Sequence, residues 1–221
     1  MTIQTSSPTG RRLLTMYDSM LDHFGPQGWW PAQTPLEMMV GAVLTQNTNW
    51  GNVEKALGSL KKGGELTLER LHRLPVESLA DAVRPAGYFN IKAQRLKNLI
   101  RFMMEAYGGD IPRMLEDESR RLRSGLLGVK GIGPETADSI LLYAAFRPVF
   151  VVDTYTHRML SRHDLADEQA SYDELQAVFT DALPEDVPLF QEFHALIVRT
   201  GKEYCRKKPL CDLCPVRGVD R

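Results

Sequence analysis

A glycine turn and one carboxylate are the side chains of this sequence whose types and spacing most plainly invite chemistry. Gly131-Ile132-Gly133-Pro134-Glu135 is followed 18 residues later by Asp153. Gly131 and Gly133 can take positive φ and bring backbone N–H groups close to an anion, while Pro134 suits the first turn of a helix running through Thr136–Leu142. The positive end of that helix favours a phosphate. Asp153 closes the apolar run Val149–Val152 and precedes Thr154–Leu160, the place of a helix N-cap. A cap alone is worth about 1 kcal/mol, but a rigidly held, ionised carboxylate can also stabilise positive charge developing on a bound molecule. Clamp and carboxylate together fit an enzyme that holds DNA and cuts a bond to a base. An ordinary helix connector and an ordinary cap fit the same residues.

The elements that must position these groups are helical. From Ile91 to Tyr107, Leu96, Leu99, Ile100, Met103 and Tyr107 recur at three and four, opposite Lys92, Arg95 and Lys97, which predicts an amphipathic helix. Similar patterns cover Leu36–Thr45, Val53–Leu60, Val76–Val83, Glu135–Phe146, Tyr172–Leu183 and Leu189–Arg199, with breaks at Gly25-Pro26, Gly63-Gly64, Pro85, Gly108-Gly109, residues 131–134, Pro148 and Pro184. Val149–Val152 reads as a short strand or an extended connector. The expectation is an all-α protein of about ten short helices.

Composition allows this. The 221 residues, 43% of them apolar, can bury a real core as one domain or two lobes. No apolar run approaches the roughly 20 residues that span a bilayer, and MTIQTSSPTGRR lacks the apolar stretch of a signal peptide, so no membrane contact and a cytoplasmic location are expected. The net charge of -1 hides segregation: eight acidic residues and no Lys or Arg lie between Asp164 and Asp186. Basic residues gather at Lys92, Arg95, Lys97 and Arg101, at Arg120, Arg121 and Arg123, and at Arg199, Lys202, Arg206, Lys207 and Lys208. They read either as solvated helix faces or as a phosphate-binding face.

The run Leu127–Ala137 with Val151-Val152-Asp153-Thr154 resembles the helix-hairpin-helix and aspartate signature of the endonuclease III superfamily of DNA glycosylases. Val43–Thr48, Gly87–Ala93 and the cysteine-containing tail match in the expected order, so the resemblance covers nearly the whole chain. It implies a two-lobed all-α glycosylase fold. Residues 31–147 would form a six-helix barrel lobe with the hairpin at about 122–146, and residues 1–30 with 148–221 a second lobe ending in the cysteine loop 205–220. It further implies that Lys130, Gly131 and Gly133 hold phosphate, Gln46 fills the space left by an extruded base, Tyr88 wedges into the stack, and Asp153 stabilises the oxocarbenium-like transition state. The partner would be double-stranded DNA with damaged bases, bound by a monomer. Bifunctional members carry a Schiff-base lysine in the hairpin helix where this chain has Glu135, which implies base release by water, with Glu135 a second candidate catalytic group.

Trp29-Trp30-Pro31 and Trp50, near Gln46, contain every tryptophan of the chain. Tryptophan is usually core, but this pattern resembles the 3-methyladenine glycosylases of that branch, in which an aromatic slot receives a cationic base; each indole face contributes about 0.5–2 kcal/mol. Rival readings are a bifunctional enzyme acting on oxidised pyrimidines through another lysine, and a non-catalytic hairpin module. All the cysteines lie in the tail, at Cys205, Cys211 and Cys214. Relatives bind a four-iron four-sulfur cluster there with a fourth cysteine; here the fourth position is Asp220. Three outcomes stay open: Asp220 as an oxygen ligand, three thiolates alone, or a loop held by packing.

Overall fold

Helix starts are written into this chain as side-chain caps. Ser7, Thr34, Asn49, Thr67, Asp110, Glu118, Asp153, Ser171 and Asp186 each accept a backbone N–H from the first turn that follows, satisfying donors that a helix cannot pair internally. A computed structural model describes residue 5, residues 7–62 and residues 64–219. Among these it contains twelve α-helices and no strand. The chain divides into two compact units, Trp30–Arg147, and Met1–Trp29 with Pro148–Arg221.

The unit Trp30–Arg147 holds α2 (Pro35–Thr45), α3 (Trp50–Lys61), α4 (Leu68–Arg73), α5 (Val76–Ala82), α6 (Phe89–Tyr107), α7 (Ile111–Glu116), α8 (Ser119–Leu127) and α9 (Pro134–Tyr143). Every residue of α2 from Leu36 to Leu44 is buried, as expected of a helix apolar all round. It is the central rod, packed on α3, α6 and α9. The hairpin helices α8 and α9 are fastened by a bidentate pair: Arg123 Nε and Nη2 donate to the fully buried Asp138 at 2.7 and 3.0 Å.

In the other unit, α1 (Pro8–Phe24), α10 (Thr154–Arg162), α11 (Tyr172–Thr180) and α12 (Val187–Glu203) surround an aromatic core. Phe150 stacks on Phe179 with ring centroids 3.6 Å apart, and Phe190 and Phe193 meet Phe150 edge-on. Residues 149–152 form a connector without regular secondary structure, anchored where Gln176 Nε2 donates to the Phe150 carbonyl at 2.7 Å. Two sequence readings need correction. The helix Pro8–Phe24 has no counterpart among the expected segments, although its core residues Leu13, Met16 and Met20 recur at three and four. Lys92, assigned to the polar face of α6, is 1% exposed: its ammonium donates to the Leu44 and Ala86 carbonyls at 2.9 and 2.6 Å.

Candidate functional site

Within the unit Trp30–Arg147, the hairpin connects α8 to α9 through residues 128–133. Gly131 has φ 98°, in the region that favours glycine, and a Cβ there would press within 2.9 Å of Arg95 Cδ. Gly133 differs from expectation: at φ -97° and ψ 179° it is extended backbone that any residue adopts. A Cβ on Gly133 would meet no protein atom within 4 Å. Lys130 is exposed, and its carbonyl accepts from Asn98 Nδ2 at 2.9 Å. Glu135 is exposed in the first turn of α9.

Gln46, at the C-terminal end of α2, is fastened to this turn. Its Nε2 donates to the Gly131 carbonyl at 3.2 Å and to Thr136 Oγ1 at 2.9 Å, while its Oε1 accepts from Arg95 Nη1. Tyr88 has left-handed backbone, φ 46°, and is 69% exposed just before α6, an arrangement that costs of order 1–3 kcal/mol. Lys92 binds the carbonyls at the end of α2 and just before Tyr88, so one buried ammonium fixes the bases of both loops. Neither the Arg95–Gln46 contact nor this lysine clamp was visible in the sequence, because their partners lie far away along the chain.

In the unit formed by residues 1–29 and 148–221, Asp153 caps α10. Its Oδ1 accepts from Tyr155 N at 2.9 Å, Thr156 N at 2.8 Å and Thr156 Oγ1 at 3.0 Å. Oδ2 lies 3.9 Å from His194 Nε2, beyond hydrogen-bond range. His194, on α12, is buried, and burial pushes its pKa down; the Asp153 carboxylate opposes this and the Lys202 ammonium adds to it. The ring is therefore neutral at neutral pH. Trp29 stands edge-on to His194, centroids 5.8 Å apart, and Lys202 Nζ lies 5.8 Å from the Trp29 ring centroid. Desolvation lowers the Lys202 pKa, with Asp153 acting against it. His194 and Lys202 were absent from the sequence-based set; a His or Lys inside a long helix carries no local signal.

The tryptophans divide between the units. Trp30 meets Trp50 and Tyr143 edge-on at 5.5 and 5.4 Å in one, while Trp29 accompanies Asp153 in the other. Gly41 permits this packing, since a Cβ there would come within 3.2 Å of Trp30 Nε1. Pro31, which follows, is exposed.

Several basic residues expected on a phosphate-binding face serve the fold instead. Besides Lys92 and Arg123, Lys97 donates to the Leu71 and His72 carbonyls at 2.9 and 2.8 Å. Arg199 pairs with Glu203 at 3.0 Å and lies over Phe24. In the tail, Cys205, Cys211 and Cys214 line one cavity together with His163 and Tyr204. Arg162 Nη1 donates to Cys205 Sγ at 3.2 Å. Asp220 lies outside the described residues.

Comparison with known proteins bears on this geometry. Residues 40–185 match the family model of the "HhH-GPD superfamily base excision DNA repair protein". A protein of Methanocaldococcus jannaschii, named "Putative DNA repair glycosylase MJ1434", is 47% identical over 203 residues, covering 91% of this chain and 92% of its own. The structure of a Helicobacter pylori 3-methyladenine DNA glycosylase bound to 1,N6-ethenoadenine is similar with a TM-score of 0.73 and 32% identity, over 88% of this chain and 97% of the other. A non-covalent endonuclease III–DNA complex shares the fold at TM-score 0.81 and 22% identity, over 97% and 96% of the two chains. On the match over residues 40–185 and the 47% identity over most of both chains, the chain belongs to the HhH-GPD superfamily of base excision DNA repair glycosylases.

Proposed function

We propose that this enzyme is a monofunctional glycosylase that releases cationic, N-alkylated purines, chiefly 3-methyladenine, from double-stranded DNA by hydrolysis. The observation that carries the reading is the state of Asp153, one oxygen held by three donors and the other turned toward a neutral histidine beside Trp29. Alkylation at a ring nitrogen weakens the glycosidic bond, so the base departs with the bonding electrons and becomes neutral without a strong general acid. Asp153 stabilises the cationic sugar left behind, water adds at C1′, and the proton lost from that water passes to solvent. Trp29, edge-on to His194 in the unit that carries Asp153, supplies aromatic surface for the cation. The hairpin supplies the DNA grip: since neither dihedral nor packing demands glycine at residue 133, close approach by a phosphate accounts for it. Gln46 and Tyr88 would hold open the space of the extruded base. Glu135 brings a carboxylate to the hairpin helix where a lyase needs an amine, and the alkylpurine enzyme from Helicobacter pylori is 32% identical over most of the chain.

One observation favours the bifunctional alternative. Lys202 has a lowered pKa close to Asp153, the property a Schiff-base amine needs. Two assays separate the readings. Incubation with methylated duplex DNA should liberate 3-methyladenine, identified chromatographically, and borohydride should trap no covalent adduct on abasic DNA. A trapped adduct that disappears in Lys202→Met would replace the monofunctional reading with the lyase. A four-iron four-sulfur cluster held by the tail cysteines completes the proposal; its role is to tie down the basic loop 205–219.

A further inference from the structure

One face of α6 reaches three loops at once. Lys92, Arg95 and Asn98 follow one another at intervals of three, so their side chains lie in one row along the helix. Lys92 holds the carbonyls of Leu44 and Ala86, at the bases of the Gln46 and Tyr88 loops. Asn98 holds the Lys130 carbonyl in the hairpin. Arg95 stands between them, half-buried, with its stem laid over Gly131: a Cβ on that glycine would come within 2.9 Å of Arg95 Cδ and 3.1 Å of Nε. All these residues belong to the unit Trp30–Arg147.

The guanidinium settles which way the Gln46 amide points. Arginine has donors and no acceptor, and a backbone carbonyl accepts only. Arg95 Nη1 therefore requires the amide oxygen, while the Gly131 carbonyl, 3.2 Å from Nε2, requires the amide nitrogen. Thr136 Oγ1, at 2.9 Å, takes the second N–H. A glutamine side chain in water samples many rotamers, but this one is bound at both ends before DNA arrives, so its ordering accompanies folding instead of the encounter. We infer that Arg95 is a positioning residue for base extrusion: it fixes Gln46 on the hairpin in the pose that fills the emptied stack. This rests on the role given to Gln46 above. Arg95 then serves the reaction without touching the base or the sugar.

The test measures single-turnover release of 3-methyladenine from two duplexes that share one methylated strand. In one the lesion faces thymine; in the other it faces an abasic analogue, so extrusion breaks no base pair. Arg95→Met keeps the stem over Gly131 and removes the donor. It should slow release about tenfold from the paired duplex, the scale of one charge-assisted hydrogen bond, and less than about threefold from the unpaired one. Gln46→Ala should show the same contrast, and the double variant should be no slower than Gln46→Ala alone. Arg95→Lys, which restores a donor, should recover part of the loss. Equal losses in both duplexes, or additive losses in the double variant, overturn the role of Arg95. Should Arg95→Met fail to fold, or neither duplex release a base, the unaltered protein still decides. Its Gln46 side-chain N–H pair, identified in nitrogen-15 spectra by its absence from Gln46→Ala, should exchange slowly with water, and fast exchange overturns the clasp. A Gln46→Ala variant without contrast between the duplexes removes the role given to Gln46 itself, a failure distinct from a Gln46 effect that Arg95→Met does not reproduce.

Discussion

The two oxygens of Asp153 do different work, and one substitution separates them. Asn at position 153 retains an oxygen for Tyr155 N and Thr156 N and caps helices about as well as Asp, so folding should be spared while the charge is lost. We expect Asp153→Asn to slow release of 3-methyladenine by roughly 10²–10³-fold, the cost of removing a transition-state stabiliser, with melting temperature and DNA affinity little changed. Activity within about threefold of the unaltered protein would sink this role. His194 predicts a pH effect of definite sign. Its folded pKa lies below the ordinary value of about 6.5. As pH falls below that value the unfolded chain takes up a proton that the buried ring refuses, so stability is intact above about 6.5 and declines toward pH 5, by at most about 1.4 kcal/mol per pH unit. Chemical denaturation at several pH values should show this slope, and His194→Gln should flatten it. Asp153 was legible in the sequence as a helix cap, which it is; its neighbour His194 was not, because burial is a property of the packed helix.

At the scale of elements, α10 and α12 cross where Gly201 faces Tyr155. A Cβ on Gly201 would come within 2.7 Å of Tyr155 Cβ and Cγ, atoms too near the backbone to swing aside. Gly201→Ala should therefore push the helices apart at a cost of about 1–3 kcal/mol. Because Tyr155 N is a donor to Asp153, base release should fall several-fold more than DNA affinity, measured on the same preparation. Equal losses in both would detach this crossing from the carboxylate. Periodicity found most of the helices, since Leu96, Leu99, Ile100 and Met103 do form the buried stripe of α6. It mistook Lys92 because the carbonyls that receive its ammonium belong to Leu44 and Ala86, outside the helix whose pattern was read. Gly131 and Gly133 look alike in sequence, yet only Gly131 has positive φ.

Over the whole molecule, cations are spent on the protein's own backbone. Lys92, Lys97, Arg147, Arg158 and Arg162 all donate to main-chain carbonyls, and Arg123 is consumed by Asp138. The basic clusters of the sequence thus overstate the charge left for DNA, and the net charge of -1 provides little long-range attraction. Hairpin amides, which neutralise no charge, carry the grip in this reading, so binding should depend only moderately on salt. Each neutralised phosphate contributes about -0.9 to the slope of log K against log salt; with Lys130 and a few other exposed cations engaged, a slope between about -2 and -4 is expected. Affinity for a duplex with an abasic-site analogue should then fall roughly 16- to 250-fold between 50 and 200 mM salt. Lys130→Gln should make the slope shallower by about 1. A slope near -7 or steeper would mean that the exposed tail residues Arg206, Lys207 and Lys208 bind phosphate as well, and the amide-centred account of the DNA grip would fail.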